Sequence, residues 1–138
     1  MLFDPLMLLA FQTVFLVLLF VSMAFRMKGN YLVHGITMIV AVAVELVAII
    51  GFSVGAFLTG ESMEPLMNPV STLVVFSLHG FFGVVSLVAG VWLLALWRPR
   101  STDFAAKSRR IWQATVISWL LAFAVGLLLY VALTTTFL

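Results

Sequence analysis

The sequence predicts an all-α integral membrane four-helix bundle, and three observations carry that prediction. Hydrophobic residues make up 64% of the chain and charged residues only 9%, against roughly a quarter charged in soluble domains. Mean hydropathy is +1.27. The apolar residues fall into four runs, each at or above the roughly 20 residues that cross a hydrocarbon core of about 30 Å. Together the runs occupy residues 1–138 as a single domain.

The first span is expected over 5–25. Asp4 suits the N-cap and Pro5 the first helical position. A secretory signal would open with a basic stretch and end in a small-x-small site. Here Asp4 lies at the start and Ala24, Phe25 and Arg26 at the end, so the segment is expected to remain as a span. The second span is expected over 31–58, the third over 71–97 after a loop that starts at Gly60 and holds two prolines, and the fourth over 111–137. The longer ones are expected to tilt or to extend past the headgroups.

Charge placement predicts orientation. Arg26 and Lys28 follow the first span, and Arg98, Arg100, Lys107, Arg109 and Arg110 precede the fourth, which accounts for all 7 basic residues. Asp4, Glu61 and Glu64 lie at the other ends. The positive-inside rule then assigns the basic loops 26–30 and 98–110 to the cytoplasmic face of a prokaryotic-type membrane, and both termini to the non-cytoplasmic side. Trp97, Trp112 and Tyr31 fall near the first interface and Tyr130 near the second. The basic 98–110 segment reads as a topology signal that also meets anionic headgroups. No nucleic-acid partner is expected; the partners are the lipid bilayer and other membrane subunits.

The chain has no cysteine, which removes disulfides, thiolate metal sites and thiol catalysis. No nucleophile–base pair, phosphate loop or metal-ligand quartet is visible, so hydrolytic or group-transfer catalysis is not expected.

Few polar side chains lie within the spans. At about 1.5 Å per residue, Glu45 is about 21 Å from the start of its span, His79 about 12 Å into its own and Gln12 and Thr13 about 10–12 Å into theirs. These four form a polar layer in the half of the membrane away from the basic loops. A lone carboxylate there must protonate, pair or face water, and His79 is the expected partner for Glu45, with Gln12 as donor. The alternative is a polar clamp that fixes helix register. His34, Met38, Ala41 and Glu45 form one stripe expected to face the interior. His34 is either a ligand or an interfacial residue bonded to headgroups or to the neighbouring loop.

Two histidines raise the question of haem or metal. The depths of His34 and His79 differ by roughly 12–15 Å, too far for one iron held by both. Each is a candidate for a separate haem b or metal, with Met38 or a neighbouring subunit as second ligand. Gly80, Gly83, Ser86 and Gly90 give the third span a face for close helix packing, or else space for a flat cofactor. Gly51, Gly55, Gly126 and Ala122 do the same elsewhere.

His34, Gly35, Ile36, Thr37 and Met38 with Ala41, then His79, then Trp119, Gly126 and Tyr130 after the basic connection, form a pattern that resembles the small YozB-like membrane family, a domain of unknown function numbered 420. The resemblance covers roughly residues 28–133. It implies a four-helix accessory or assembly protein of a respiratory complex of the haem-copper oxidase type. It also implies histidines near residues 55–57 and 107–108, which this chain lacks, so only His34 and His79 carry over. The competing readings are a purely structural helix-packing subunit, and a small b-type cytochrome or quinone-site protein that uses the Glu45 and His79 layer for proton exchange.

Overall fold

The structure is a computed structural model, and it describes residues 5–60, 70–98 and 103–136. Four α-helices make up nearly all of these: α1 Pro5–Met27, α2 Tyr31–Thr59, α3 Val70–Leu96 and α4 Phe104–Thr136. All four are long and apolar enough to cross a membrane. The 29 residues of α2 span about 43 Å, well beyond a hydrocarbon core of about 30 Å. Asp4 as a cap, the two prolines of the 61–69 connection, Glu61, Glu64 and Arg100 lie outside the described residues.

The turn between α1 and α2 follows from two residues. Gly29 takes a left-handed φ of 71°, a conformation without steric cost only for glycine. Its N–H donates to the Arg26 carbonyl at 3.0 Å and the Asn30 N–H donates to the Phe25 carbonyl at 2.9 Å, the pair of bonds that closes a helix in a Schellman motif. Asn30 then opens α2: its side-chain oxygen accepts from the Val33 N–H at 3.2 Å, satisfying one of the donors a helix start leaves free. The chain therefore reverses within three residues, and α1 and α2 are antiparallel neighbours.

α4 begins at Phe104, seven residues before the expected start at 111. Hydropathy marked the edge of the apolar run, but Ala105, Ala106, Lys107, Arg109 and Arg110 are good helix formers. The charges sit on the exposed face of this first stretch while Phe104 and Ser108 are buried. Lys107 also pairs with Asp103 one turn back at 3.5 Å. The other helices begin and end within two residues of expectation.

The helices form a ring in which α1 touches α2 and α4, and α3 touches α4 and α2; α3–α4 is the broadest of these contacts and α2–α3 the slightest. The buried face of α4 runs through Ser108, Trp112, Thr115, Trp119, Ala122, Gly126, Leu129 and Leu133. Steps of four and three residues alternate along it, the 3.5-residue period of a left-handed bundle. On α3 the facing residues are mostly small: Thr72, Ser86, Ala89 and Gly90, with Leu93. Buried hydroxyls on α4 are satisfied inside their own helix, Thr115 donating to the Ile111 carbonyl at 2.8 Å and Ser118 to Ala114 at 2.7 Å. The outer faces carry exposed Leu32, Ile36, Phe57, Phe81, Trp92 and Leu128, a surface matched to acyl chains rather than water.

The interior is packed unevenly. Toward the ends that carry Arg26 and Arg98, Leu19, Met38, Ala41, Leu93, Phe104, Trp112 and Trp119 form one dry cluster. A smaller cluster of Leu129 and Leu133 against Phe52, Val75 and Phe76 lies toward the other end.

Candidate functional site

Beside the main cluster, in the half of the bundle away from the basic residues, lies a cavity of ≈ 610 Å³ lined by all four helices. That size suits a small-molecule ligand. Its walls are largely apolar, with Phe11, Phe15, Phe52, Phe76 and Phe123 among them, and Gln12, Glu45, His79 and Trp119 supply the polar groups. They come from α1, α2, α3 and α4 in turn, so no single helix builds the site.

The helical rise explains why they meet. Glu45 is about 21 Å along α2 from the basic end, and Trp119 is about 22 Å along α4 from the same end. Gln12 and His79 are about 10 Å and about 13 Å from the other end on α1 and α3. Thr13, one residue on from Gln12, is rotated by about 100°. It is exposed and donates to the Leu9 carbonyl of its own helix at 2.9 Å, so it stands outside the layer to which the sequence reading assigned it.

Glu45 is buried to 9% exposure. The Ser86 hydroxyl contacts its Oε1 at 3.2 Å and the Gly83 carbonyl at 2.7 Å. One hydroxyl proton serves one acceptor at a time, and the carbonyl is nearer, so Ser86 holds the carboxyl weakly. Oε2 has no hydrogen-bond partner. The Trp119 indole, 7% exposed, sits beside the carboxyl without closing a hydrogen bond to it, and its N–H is likewise unpartnered. Gln12 Oε1 is the third buried polar atom without a partner among the described residues. The Gln12 amide lies against Gly126, where a Cβ would overlap it.

His79 does not pair with Glu45, as the sequence reading expected. Its Nδ1–H donates to the Ala122 carbonyl of α4 at 2.9 Å. A carbonyl only accepts, so Nδ1 carries the hydrogen and Nε2 is the lone-pair nitrogen of the neutral ring. Gly126, one turn on, has no side chain to screen that carbonyl. Glu45 and His79 thus share a cavity, not a bond.

Gly80 and Gly83 need a second correction. Nothing lies within 4 Å of the place a Cβ would take at either; they line the cavity. Close packing holds for Gly90, whose Cβ would meet Val42 at 3.0 Å, and for Ser86, which is fully buried. The close approach of α2 and α3 at the basic end is made instead at Gly35. A Cβ there would overlap the Trp97 indole, whose N–H donates to the Tyr31 carbonyl at 2.9 Å.

His34 belongs to a different cluster. It is fully buried. Its Nδ1 lies 2.7 Å from Ser22 Oγ, and Arg26 approaches its Nε2 at 3.4 Å. Arginine only donates, so Nε2 accepts and Nδ1–H donates to Ser22. Arg26 also donates to Ser108 Oγ at 3.0 Å, and its guanidinium lies 5.8, 5.5 and 5.4 Å from the ring centres of Tyr31, Phe104 and Trp112, within cation–π range. Trp112 packs edge-on against the His34 ring at 4.8 Å.

Both ring nitrogens of His34 are occupied and Met38 is sealed in the dry cluster, so this pair does not fit haem or metal ligation. His79 alone offers an imidazole nitrogen to the cavity. No group of three or more His, Asp or Glu side chains among the described residues is arranged to hold a metal ion. A haem's propionates are poorly matched too: among the described residues that line the cavity there is an acidic side chain, Glu45, and no Lys or Arg.

Sequence reasoning missed Trp119 as a site residue and Ser86 as the neighbour of Glu45. It also missed the Ser22, Arg26 and Ser108 partners of His34. Ser22 and Arg26 stand one turn apart just before the tight turn at Gly29, which is the signal that they face the first turn of α2. Comparison with protein-family models, curated proteins and solved structures gives no match.

Proposed function

We propose that this is an integral membrane accessory protein that binds a lipid-soluble small molecule inside the bilayer, at the cavity between its four helices, in the service of a larger respiratory membrane complex. One observation supports the ligand above all. Gln12 Oε1, Glu45 Oε2 and Trp119 Nε1 are buried without partners, and all three residues line the same cavity. An unsatisfied buried polar group costs about 1–3 kcal/mol, and small side-chain rotations would turn these three toward the cavity their residues line, where a bound molecule can bond to them. The respiratory assignment rests on the resemblance of the His34, His79 and Trp119 pattern to the YozB-like family, and on exposed apolar faces that suit partner subunits as well as lipid. The basic loops face the cytoplasm and both termini the opposite side, on the placement of Lys and Arg. The cavity then lies in the non-cytoplasmic half.

Gly83→Leu tests the ligand reading, because nothing lies within 4 Å of the place its Cβ would take and Gly83 lines the cavity, so the added side chain takes up space there. Native mass spectrometry of protein released from nanodiscs should show an adduct on the wild type that is lost in Gly83→Leu, while the variant melts no lower. Wild-type protein that is folded and carries no adduct, before or after incubation with membrane lipid extract, overturns the reading.

A further inference from the structure

We infer that the cavity takes the head of a quinone or hydroquinone, with its tail leaving sideways into the acyl chains; this rests on the ligand-binding reading above and names its chemical class.

The route to lipid is visible in the lining. Phe11, Val47 and Val84 line the cavity and are also 40%, 70% and 59% exposed on the outer faces of α1, α2 and α3. The wall between α2 and α3, a slighter contact than α3–α4, α1–α2 or α1–α4, includes Gly51 and Gly80, which present no side chain. A ligand therefore enters from the hydrocarbon layer and must be soluble there.

The polar atoms select the head. Trp119 offers one N–H donor, Gln12 Oε1 and the lone-pair nitrogen of His79 are acceptors, and the Glu45 carboxyl accepts when ionised and also donates when protonated. A pure hydrocarbon leaves all of these unsatisfied. A fatty acid or phospholipid brings a carboxylate or phosphate into a cavity that no Lys or Arg lines among the described residues, and an anion held in low dielectric without a counter-charge is costly. A long-chain alcohol has one hydroxyl for groups spread over four helices. A hydroquinone carries two hydroxyls on opposite edges of a flat ring, each a donor and an acceptor, and its quinone form carries two acceptors for Trp119 and for the Gln12 amide N–H. Gly80 and Gly83 leave a flat wall for the ring, and Phe15 and Trp119, with ring centres 6.4 Å apart, offer aromatic faces for stacking.

The test is thermal stabilisation of the purified full-length protein in nanodiscs, with decylubiquinone, its reduced form and decylbenzene as probes. A ligand that binds only the folded state raises the melting temperature in proportion to the logarithm of its concentration over Kd. The two quinone forms should stabilise and decylbenzene should not, and Gln12→Leu with Trp119→Phe should weaken quinone binding about tenfold or more. Equal stabilisation by all three probes overturns the quinone assignment and leaves the ligand-binding reading standing. So does quinone binding that is unchanged in the double variant. A folded wild type that none of the three stabilises overturns the quinone assignment as well, while the adduct measurement above decides the ligand-binding reading separately.

Discussion

His34 and Glu45 are buried polar residues on one face of α2, three turns apart, and their surroundings give them opposite tasks. His34 has every polar atom of its ring engaged and holds Ser22 and Arg26 in place. Removing the ring takes one bond from each, while Ser22 keeps the backbone carbonyl of residue 34 and Arg26 keeps Ser108. His34→Ala should therefore lower stability by about 1–3 kcal/mol, besides the lost ring contacts. Glu45 has one oxygen weakly held and the other with no partner, so Glu45→Leu should melt at or above the wild-type temperature, with a gain of about 1 kcal/mol. Ser86 keeps its bond to Gly83 in that variant. Thermal melts of the two variants in one detergent check the signs. A His34→Ala protein as stable as wild type, or a Glu45→Leu protein that melts well below it, reverses the assignment of structural and ligand-facing roles. Depth along each helix was legible from the sequence, which is why Gln12, Glu45 and His79 come to one level. Direction of bonding was not, because the nearest partner of each side chain sits on a helix far away in sequence: Ala122 for His79, Ser86 for Glu45.

At the scale of the helix, glycine illustrates the same limit. The sequence shows where glycines are, and a membrane helix rich in small residues reads as a packing face. Whether a glycine is pressed on or left open depends on what the opposing helix carries. Gly35 lies under the Trp97 indole, and Gly80 faces open space. Gly35→Ala should therefore displace the indole, break its bond to the Tyr31 carbonyl and cost about 1–3 kcal/mol. Gly80→Ala should be neutral within about 0.5 kcal/mol. Melting temperatures, with tryptophan emission as a reporter of the Trp97 environment, separate the two; equal losses at both positions would show that the helices pack differently from this arrangement. Helix bounds were legible wherever apolar runs and turn residues coincide, as at Gly29 and Asn30. They were not at the start of α4, where charged residues continue the helix beyond the apolar run.

The whole bundle is asymmetric along its axis in two independent ways. Its packing is dense toward the Arg26 end, where Leu19, Met38, Leu93 and Trp112 meet, and hollow beyond Glu45. Its basic charge is confined to the dense end, in residues 26–28 at the end of α1 and residues 98–110 around the start of α4. The second asymmetry was legible at once, since it needs only a count of Lys and Arg between apolar runs. The first was not, since a void forms where side chains on four helices fail to fill a common volume. Joined, the two predict which side of the membrane the hollow half faces. Lys and Arg near span ends are retained on the cytoplasmic side, so the cavity should lie toward the exterior. Because the chain has no cysteine, single cysteines report side without interference. Ser101→Cys lies within the basic connection and removes no charge, and Glu61→Cys lies in the connection after α2 and removes an acidic charge of little weight in topology. A membrane-impermeant maleimide applied to intact cells should label Glu61→Cys and spare Ser101→Cys until the membrane is permeabilised. The reverse pattern would turn the molecule over, with the hollow half and its Glu45, His79 and Gln12 layer then opening toward the inner leaflet.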